Sequence, residues 1–465
     1  MKLPDWMRFL LIASVLAAFG LAAHAHAAAS EPLSVTAFVS VNVLPMDSER
    51  VLAKQTVLIQ DGRITAIGPH LAVPRGARII DGHGTGFLSP GLADMHTHSD
   101  TRTDMEVYLA NGVTTVLNMG GASNRFMTQV RPAINNGSMP GPHIYAAFLV
   151  DGSPQYAHFM VTSADQARWI VRLAKANGYE FIKVYTDLSP ESFEAIIDEG
   201  RIQHMPVVGH SLIRVGLEHQ LDAGQVMVAH TEEFLYTVFT KLGAPLTDQA
   251  PTLEQIPGAI TIINRNRAFV TADLNTYATI ASQWGKPDVV EGFMRRPQIR
   301  FLSPDRRIAW RADDYTARKG DLTDKLAFLK LFTQRMADAG VRLIAGTDAP
   351  AIPGLIPGYS LHEDLRVLEE AGLSRYQVLS AATRTPGELI TRTLPGAEPF
   401  GTITPKCRAD LILSAGNPLE DLSTLQKPLG VMANGRWYTA SDLQAMLEEV
   451  AAKYDLASRL PTAAR

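Results

Sequence analysis

Apolar positions along the chain fall into two regimes. Residues 33–90 carry short Val- and Thr-rich stretches, among them Thr56-Val-Leu-Ile-Gln, then Asp61-Gly62, then Arg63-Ile-Thr-Ala-Ile. Two apolar runs around an Asp-Gly pair predict a β-hairpin with a two-residue turn. The far end repeats the pattern with Ala409-Asp-Leu-Ile-Leu, Leu429-Gly-Val-Met-Ala, Asn434-Gly435 and Arg436-Trp-Tyr-Thr. Short β segments at both ends of a long middle predict one small β domain assembled from the two chain termini. From 91 to 397 the pattern changes, and apolar runs alternate with helical stretches. That is the pattern of β-α units around a parallel sheet.

Eight strands are expected in this middle region. The first leads into His96, and the others span 113–118, 143–149, 181–185, 206–210, 226–230, 269–274 and 341–347. Helices are expected over 163–177, where Ala167, Ile170, Val171 and Ala174 fall on one face, and over 189–201, with Phe193, Ile196 and Ile197. A last helix, 441–454, would start at Ser441 with Gln444 completing a capping box. The expected class is α/β: a (β/α)8 TIM barrel over 91–397 with a small β-sandwich domain from 28–90 and 398–440, then a C-terminal helix and tail, 441–465. An open doubly wound sheet is the alternative, but no Gly-x-Gly-x-x-Gly follows a strand. The stretch 284–320, with Trp284, Trp310 and seven arginines, exceeds a simple crossover and reads as a solvated helical insertion.

The first 27 residues read as a signal peptide. Lys2 and Arg8 precede an apolar run from Phe9 to Ala23 and a small-residue zone ending near Ala27 or Ala29. The run is short for a membrane span, so the expectation is export to the periplasm or medium with no stable membrane span after cleavage; a retained anchor is the alternative. His24 and His26 lie in this segment. A formal charge of -4 and pI near 6.4 give no basic footprint for nucleic acid. One cysteine, Cys407, excludes an internal disulfide framework and a multi-cysteine zinc site, and reads as a buried small hydrophobe.

The chemistry gathers at strand ends. His96 and His98, in Pro-Gly-Leu-Ala-Asp-Met-His-Thr-His, share a strand face and can share an ion. By itself such a pair also fits a solvated edge or two buried hydrogen-bonding groups. Lys183 lies in Phe-Ile-Lys-Val-Tyr, His210 ends Val-Val-Gly-His, His230 ends Val-Met-Val-Ala-His, and Asp348 follows Ile-Ala-Gly-Thr. In a closed barrel all six converge on the C-terminal face, where such barrels place their catalytic groups. A desolvated lysine loses its proton. Its amine can then take up carbon dioxide to form a carbamate able to bridge two cations.

These motifs, with Ala-His-Thr-Glu-Glu and Ala-Gly-Thr-Asp-Ala, resemble the metal-dependent amidohydrolase superfamily from one β segment to the other. Pro357-Gly-Tyr-Ser-Leu-His-Glu-Asp-Leu and Ala381-Ala-Thr-Arg-Thr-Pro are similar to the imidazolonepropionase-like and Xaa-Pro dipeptidase (prolidase-type) subgroup. Imidazolonepropionases use one metal and lack the lysine, so Lys183 points to the binuclear, prolidase-type side. The resemblance implies that His96, His98 and Asp348 hold the more buried of two divalent ions, zinc or a similar metal, and His210 and His230 the more exposed one. N6-carboxylated Lys183 would bridge them. It further implies a hydrolase in which a metal-bound hydroxide attacks an amide carbonyl, with Asp348 as proton shuttle. The substrate would be a small molecule, a dipeptide such as Xaa-Pro or an N-acyl amino acid, and the enzyme a homo-oligomer. A lactonase, esterase or phosphotriesterase would use the same donors, and a non-catalytic periplasmic metal-binding protein is the alternative from another class. Relatives carry Ile-Glu-His-Gly at strand six where this chain has Val-Ala-His-Thr. His158, Tyr185, Tyr236 and His362 are the candidate substrate residues.

Overall fold

Two sheets organise the chain. The computed structural model describes residues 35–459 except 157, 246 and 248, so the amino-terminal segment expected to direct export lies outside the described residues. The first sheet is built from β1 (Thr36–Val43), β2 (Leu52–Gln60), β3 (Arg63–Gly68), β4 (Arg78–Asp81) and β5 (Phe87–Pro90). The second runs through β6 (Leu92–Thr97), β7 (Val113–Asn118), β8 (His143–Asp151), β9 (Phe159–Met160), β10 (Phe181–Val184), β11 (Val207–Gly209), β12 (Met227–Ala229), β13 (Phe269–Thr271) and β14 (Arg342–Ile344). The chain then returns to the first sheet with β15 (Leu411–Ser414), β16 (Gly430–Ala433) and β17 (Arg436–Thr439), in the order β17-β16-β15-β5-β1-β2-β3 with β4 beside β1.

Both hairpins form at the expected dipeptides. Asp61-Gly62 and Asn434-Gly435 have positive φ at both positions, the requirement of a tight hairpin turn, and the two turns pack against each other. A Cβ on Gly435 would stand 2.9 Å from Gly62 Cα. Strands from opposite chain ends meet at β5 and β15, where Leu88 and Leu411 join a core with Phe38, Trp437 and Cys407.

The β6–β14 sheet is a nearly closed parallel barrel of eight strands, with β9 added outside β8. Closure comes from the segment after β14: Thr97 pairs with Ala349, and the Thr347 and Asp348 amides both reach His96 O. Its strands are buried throughout except at Arg342, His143 and Phe148, as expected where helices cover the outside and side chains fill the inside. Helix Ala164–Ala176 buries the four residues its spacing selected, with Ser163 as N-cap.

Two expectations need correction. The last helix, Ala440–Arg459, is not started by Ser441 and Gln444. Thr439 Oγ1 accepts the Asp442 amide and Asp442 Oδ2 accepts the Thr439 amide, because a shorter acidic side chain three residues on closes the same reciprocal box. Nor is the 284–320 insertion merely solvated. Trp310 is buried and donates from Nε1 to Pro350 O, which fastens the insertion to the loop leaving β14. No described helix is long and apolar enough to cross a membrane.

Candidate metal centre

Several of the barrel strands are followed at once, or within a few residues, by a polar residue of the cluster. Three of these residues, His230, Asp273 and Asp348, take left-handed φ values of 79°, 45° and 58° immediately after or close behind β12, β13 and β14. Such conformations cost of order 1–3 kcal/mol each and persist only where surrounding structure enforces them. Here they turn the backbone sharply and bring the side chains inward. Gly346 makes room for this: a Cβ there would lie 2.3 Å from Asp273 Oδ1 and 2.8 Å from His96 Cβ. Gly346→Ala is therefore expected to lower unfolding free energy by about 1–3 kcal/mol in a urea titration and to loosen the centre with it. An unchanged urea midpoint would show that Asp273 can yield freely.

The six residues of the sequence motifs lie together. Asp348 Oδ1 is 3.0 Å from His98 Nε2 and 3.4 Å from His96 Nε2, so the three donors surround one position. The His96 and His230 ring centroids are 4.3 Å apart, and those of His210 and His230 5.0 Å. Lys183 Nζ stands 3.0 Å from His96 Nε2. It is buried, and no carboxylate lies within ion-pair distance of it among the described residues. Burial lowers its pKa to about 8, against the raising effect of Asp348, Asp273 and Glu233. Burial opposes the charge on Asp348 too, but His98, His230 and Lys183 together hold its carboxyl below the usual range.

A second layer fixes the histidines, and sequence reasoning missed it. The His98 Nδ1–H donates to Gly120 O at 2.9 Å. Glu233 Oε1 lies 2.7 Å from His210 Nδ1, while Glu233 Oε2 accepts the Ser211 amide. Asp273 Oδ2 lies 2.9 Å from Nδ1 of both His96 and His230, off the axis of either ring N–H. Carboxylates and carbonyls on Nδ1 set the rings so that Nε2 presents its lone pair to a cation. Asp94, also buried, accepts the Thr347 hydroxyl at 2.7 Å and the His96 amide, tying β6 to the β14 end. Asp273 stands at the end of strand seven and Glu233 three residues after His230. Their sequence signal was an acid at a strand terminus.

The donor set fits divalent metal ions. His210 Nε2 is buried with no hydrogen-bond partner among the described residues, and His96 and His98 aim Nε2 at a carboxylate that already faces a second imidazole. Four imidazoles, a carboxylate and a desolvated amine would repel or orphan one another without cations. Asp273→Asn should weaken metal retention about 10–100-fold, read as faster loss of metal to a chelator; equal retention would remove its orienting role.

The candidate substrate residues divide. Tyr185 packs tilted against His210 with ring centroids 4.2 Å apart, and the His158 ring meets Tyr185 edge-on at 4.6 Å. Burial, then the charges of Lys183 and His98, lowers His158 to about 4. Tyr236 is raised by burial and by the adjacent Glu232 and Glu233. His362 does not join them. It is drawn into the helix layer, where its Nε2–H donates to Asn111 O at 2.9 Å, and burial lowers it to about 4. Tyr315, from the insertion, packs beside Trp284, and burial and then the charge of Asp348 raise its hydroxyl. A cavity of 390 Å³ with Arg201, His204, Arg267 and Arg392 in its wall lies at the opposite ends of β11–β13 and contains none of these groups.

No family model matches the chain. It is 26% identical over 369 residues to the dihydroorotase of Citrifermentans bemidjiense, covering 74% of this chain and 82% of that one. To the dihydroorotase of Geobacter sulfurreducens it is 28% identical over 178 residues, a match that spans only 38% of that protein's length. Among solved structures, bottromycin amidohydrolase superposes with a TM-score of 0.70 at 21% identity over 91% of both chains. A putative prolidase from Bifidobacterium longum superposes with a TM-score of 0.64 at 22% identity, over 90% of this chain and 100% of that one. The chain is thus similar in sequence to dihydroorotases and shares the fold of amidohydrolases and prolidases of solved structure. The named relatives are hydrolases acting on carbon–nitrogen bonds.

Proposed function

We propose that the chain is an exported binuclear amidohydrolase that cleaves an amide bond in a dipeptide or an N-acyl amino acid. The observation that carries the reading is a buried lysine with no carboxylate within ion-pair distance among the described residues, set among four imidazoles and Asp348 at the mouth of the barrel. His96, His98 and Asp348 would hold one ion, His210 and His230 the other, and Lys183, as its N6-carboxylate, would span both; zinc is the expected metal. Such ions, when bound, supply Lewis acidity and a water of lowered pKa.

The chain's own groups do the rest. Asp348 accepts the proton of the attacking water as its oxygen bonds to the carbonyl carbon. It then delivers that proton to the amide nitrogen as the C–N bond breaks, releasing a carboxylic acid and an amine. Glu233 and the Gly120 carbonyl, on Nδ1 of His210 and His98, keep those imidazole tautomers fixed through the cycle. Tyr185 and His158 wall the mouth and limit water beside the scissile bond. Metal analysis of purified protein, followed by a screen of dipeptides, N-acyl amino acids, lactones and phosphotriesters, tests the reading. Two ions per chain and amide hydrolysis are expected. Turnover of lactones or phosphotriesters alone would assign the centre to those esters, and metal without turnover would make it a binding protein. Export is supported by the residue 1–27 pattern and is checked by amino-terminal sequencing of the mature protein.

A further inference from the structure

A wall of aromatic rings leads outward from the metal centre. The Tyr185 ring touches His210 on one side, and Lys183 Nζ stands 5.9 Å from the middle of the same ring. Two rings from the segment after β8 meet Tyr185 edge-on, His158 at 4.6 Å and Tyr156 at 5.2 Å. His158 and Tyr156 also lie beside each other, with centroids 6.1 Å apart and planes inclined by 28°. Tyr156 is thus only two ring contacts away from an imidazole of the centre.

The outer end of this wall is bare. Tyr156, Phe159 and Met160 are each about half exposed, although Phe159 is anchored edge-on to Phe148. Ile213, three residues after His210, is exposed as well, and its amide donates to Thr186 O just beyond β10. All four follow the carboxyl ends of β8 and β11, the side of the barrel on which the centre lies. Single bare apolar side chains are ordinary, but a group of them continuous with a reactive centre marks a surface kept for a ligand. One residue of extended chain spans about 3.5 Å. The side chain that flanks the scissile bond is therefore the part of a small amide that reaches these rings. An aromatic side chain gains most there, because edge-on and tilted ring contacts add to the burial of its area.

We propose that Tyr156, with Tyr185 and His158, forms a subsite for an aromatic side chain next to the scissile amide, so that the centre prefers phenylalanine-bearing substrates to alanine-bearing ones. This rests on the amide-hydrolase reading above. Tyr156 sets specificity through its ring, and its hydroxyl takes no part.

The test compares L-phenylalanyl-L-alanine and L-alanyl-L-phenylalanine with L-alanyl-L-alanine, and N-acetyl-L-phenylalanine with N-acetyl-L-alanine, using metal-loaded wild type, Tyr156→Ala and Tyr156→Phe. Hydrolysis is read as kcat/KM, and compounds that are not turned over are read by calorimetric Kd. Wild type is expected to favour the phenylalanine member of at least one pair by about tenfold or more. In Tyr156→Ala that ratio should fall by about threefold or more, while Tyr156→Phe keeps it; metal content and thermal unfolding should match wild type in both. Equal handling of phenylalanine and alanine compounds by wild type, or an undiminished ratio in Tyr156→Ala, would overturn the proposal while leaving amide hydrolysis intact. Self-association that disappears in Tyr156→Ala with the substrate ratio unchanged would assign the bare rim to contact between copies and overturn it too. Tyr156-dependent binding of the phenylalanine compounds without hydrolysis would support the proposal and sink the amide-hydrolase reading instead.

Discussion

Asp348→Asn is expected to keep its fold and lose turnover by about 10³-fold or more, the scale of a removed general base or acid. The substitution keeps a side-chain oxygen where His96 and His98 converge, so the donor geometry is changed less than the proton chemistry. The wild-type carboxyl is held ionised by His98, His230 and Lys183 in spite of its burial, the state required of a base. An amide can neither accept the proton of the attacking water nor pass it to the leaving amine. The measurement is kcat on the best amide found in the screen, alongside metal content and thermal unfolding. A variant that retains metal and a wild-type kcat would remove Asp348 as the proton carrier. A variant that loses metal and kcat together would reduce its role to holding the ion.

How far the sequence leads depends on how local the cause of each feature is. The Asp61-Gly62 and Asn434-Gly435 turns and the face of helix Ala164–Ala176 are set by neighbours within a few residues, and these form as the pattern predicts. The barrel was legible because buried parallel strands read as short apolar runs, and the six candidate residues could be picked out because each lies in or just after such a run. Asp273 and Glu233 follow strands as well. An acid there is equally at home in the first turn of a following helix, so nothing local separated the two roles. Their meaning appears only when β12 and β13 bring Asp273 within 2.9 Å of two imidazoles. Tyr315 and His362 show the same limit. The first packs beside Trp284 in an insertion whose path depends on the Trp310–Pro350 contact, while the second has its ring captured by the Asn111 carbonyl.

Lys183→Ala should reduce bound metal from about two ions per chain to one or fewer and abolish amide hydrolysis. Its amine is buried beside His96 with no carboxylate within ion-pair distance among the described residues, and burial already lowers it to about 8. A neutral amine of that kind is a nucleophile toward carbon dioxide, and the resulting carbamate carries the negative charge and two oxygens that this cluster lacks. Alanine removes both and leaves four imidazoles and one carboxylate for two dications. The prediction separates a structural lysine from a bridging one, because a merely structural lysine would change stability while leaving metal stoichiometry alone. Added short carboxylic acids, which can enter the vacated space, are expected to restore part of the metal content and activity of Lys183→Ala but not of Asp348→Asn. Metal stoichiometry that is the same in wild type and Lys183→Ala would overturn the binuclear assignment, whatever happens to activity.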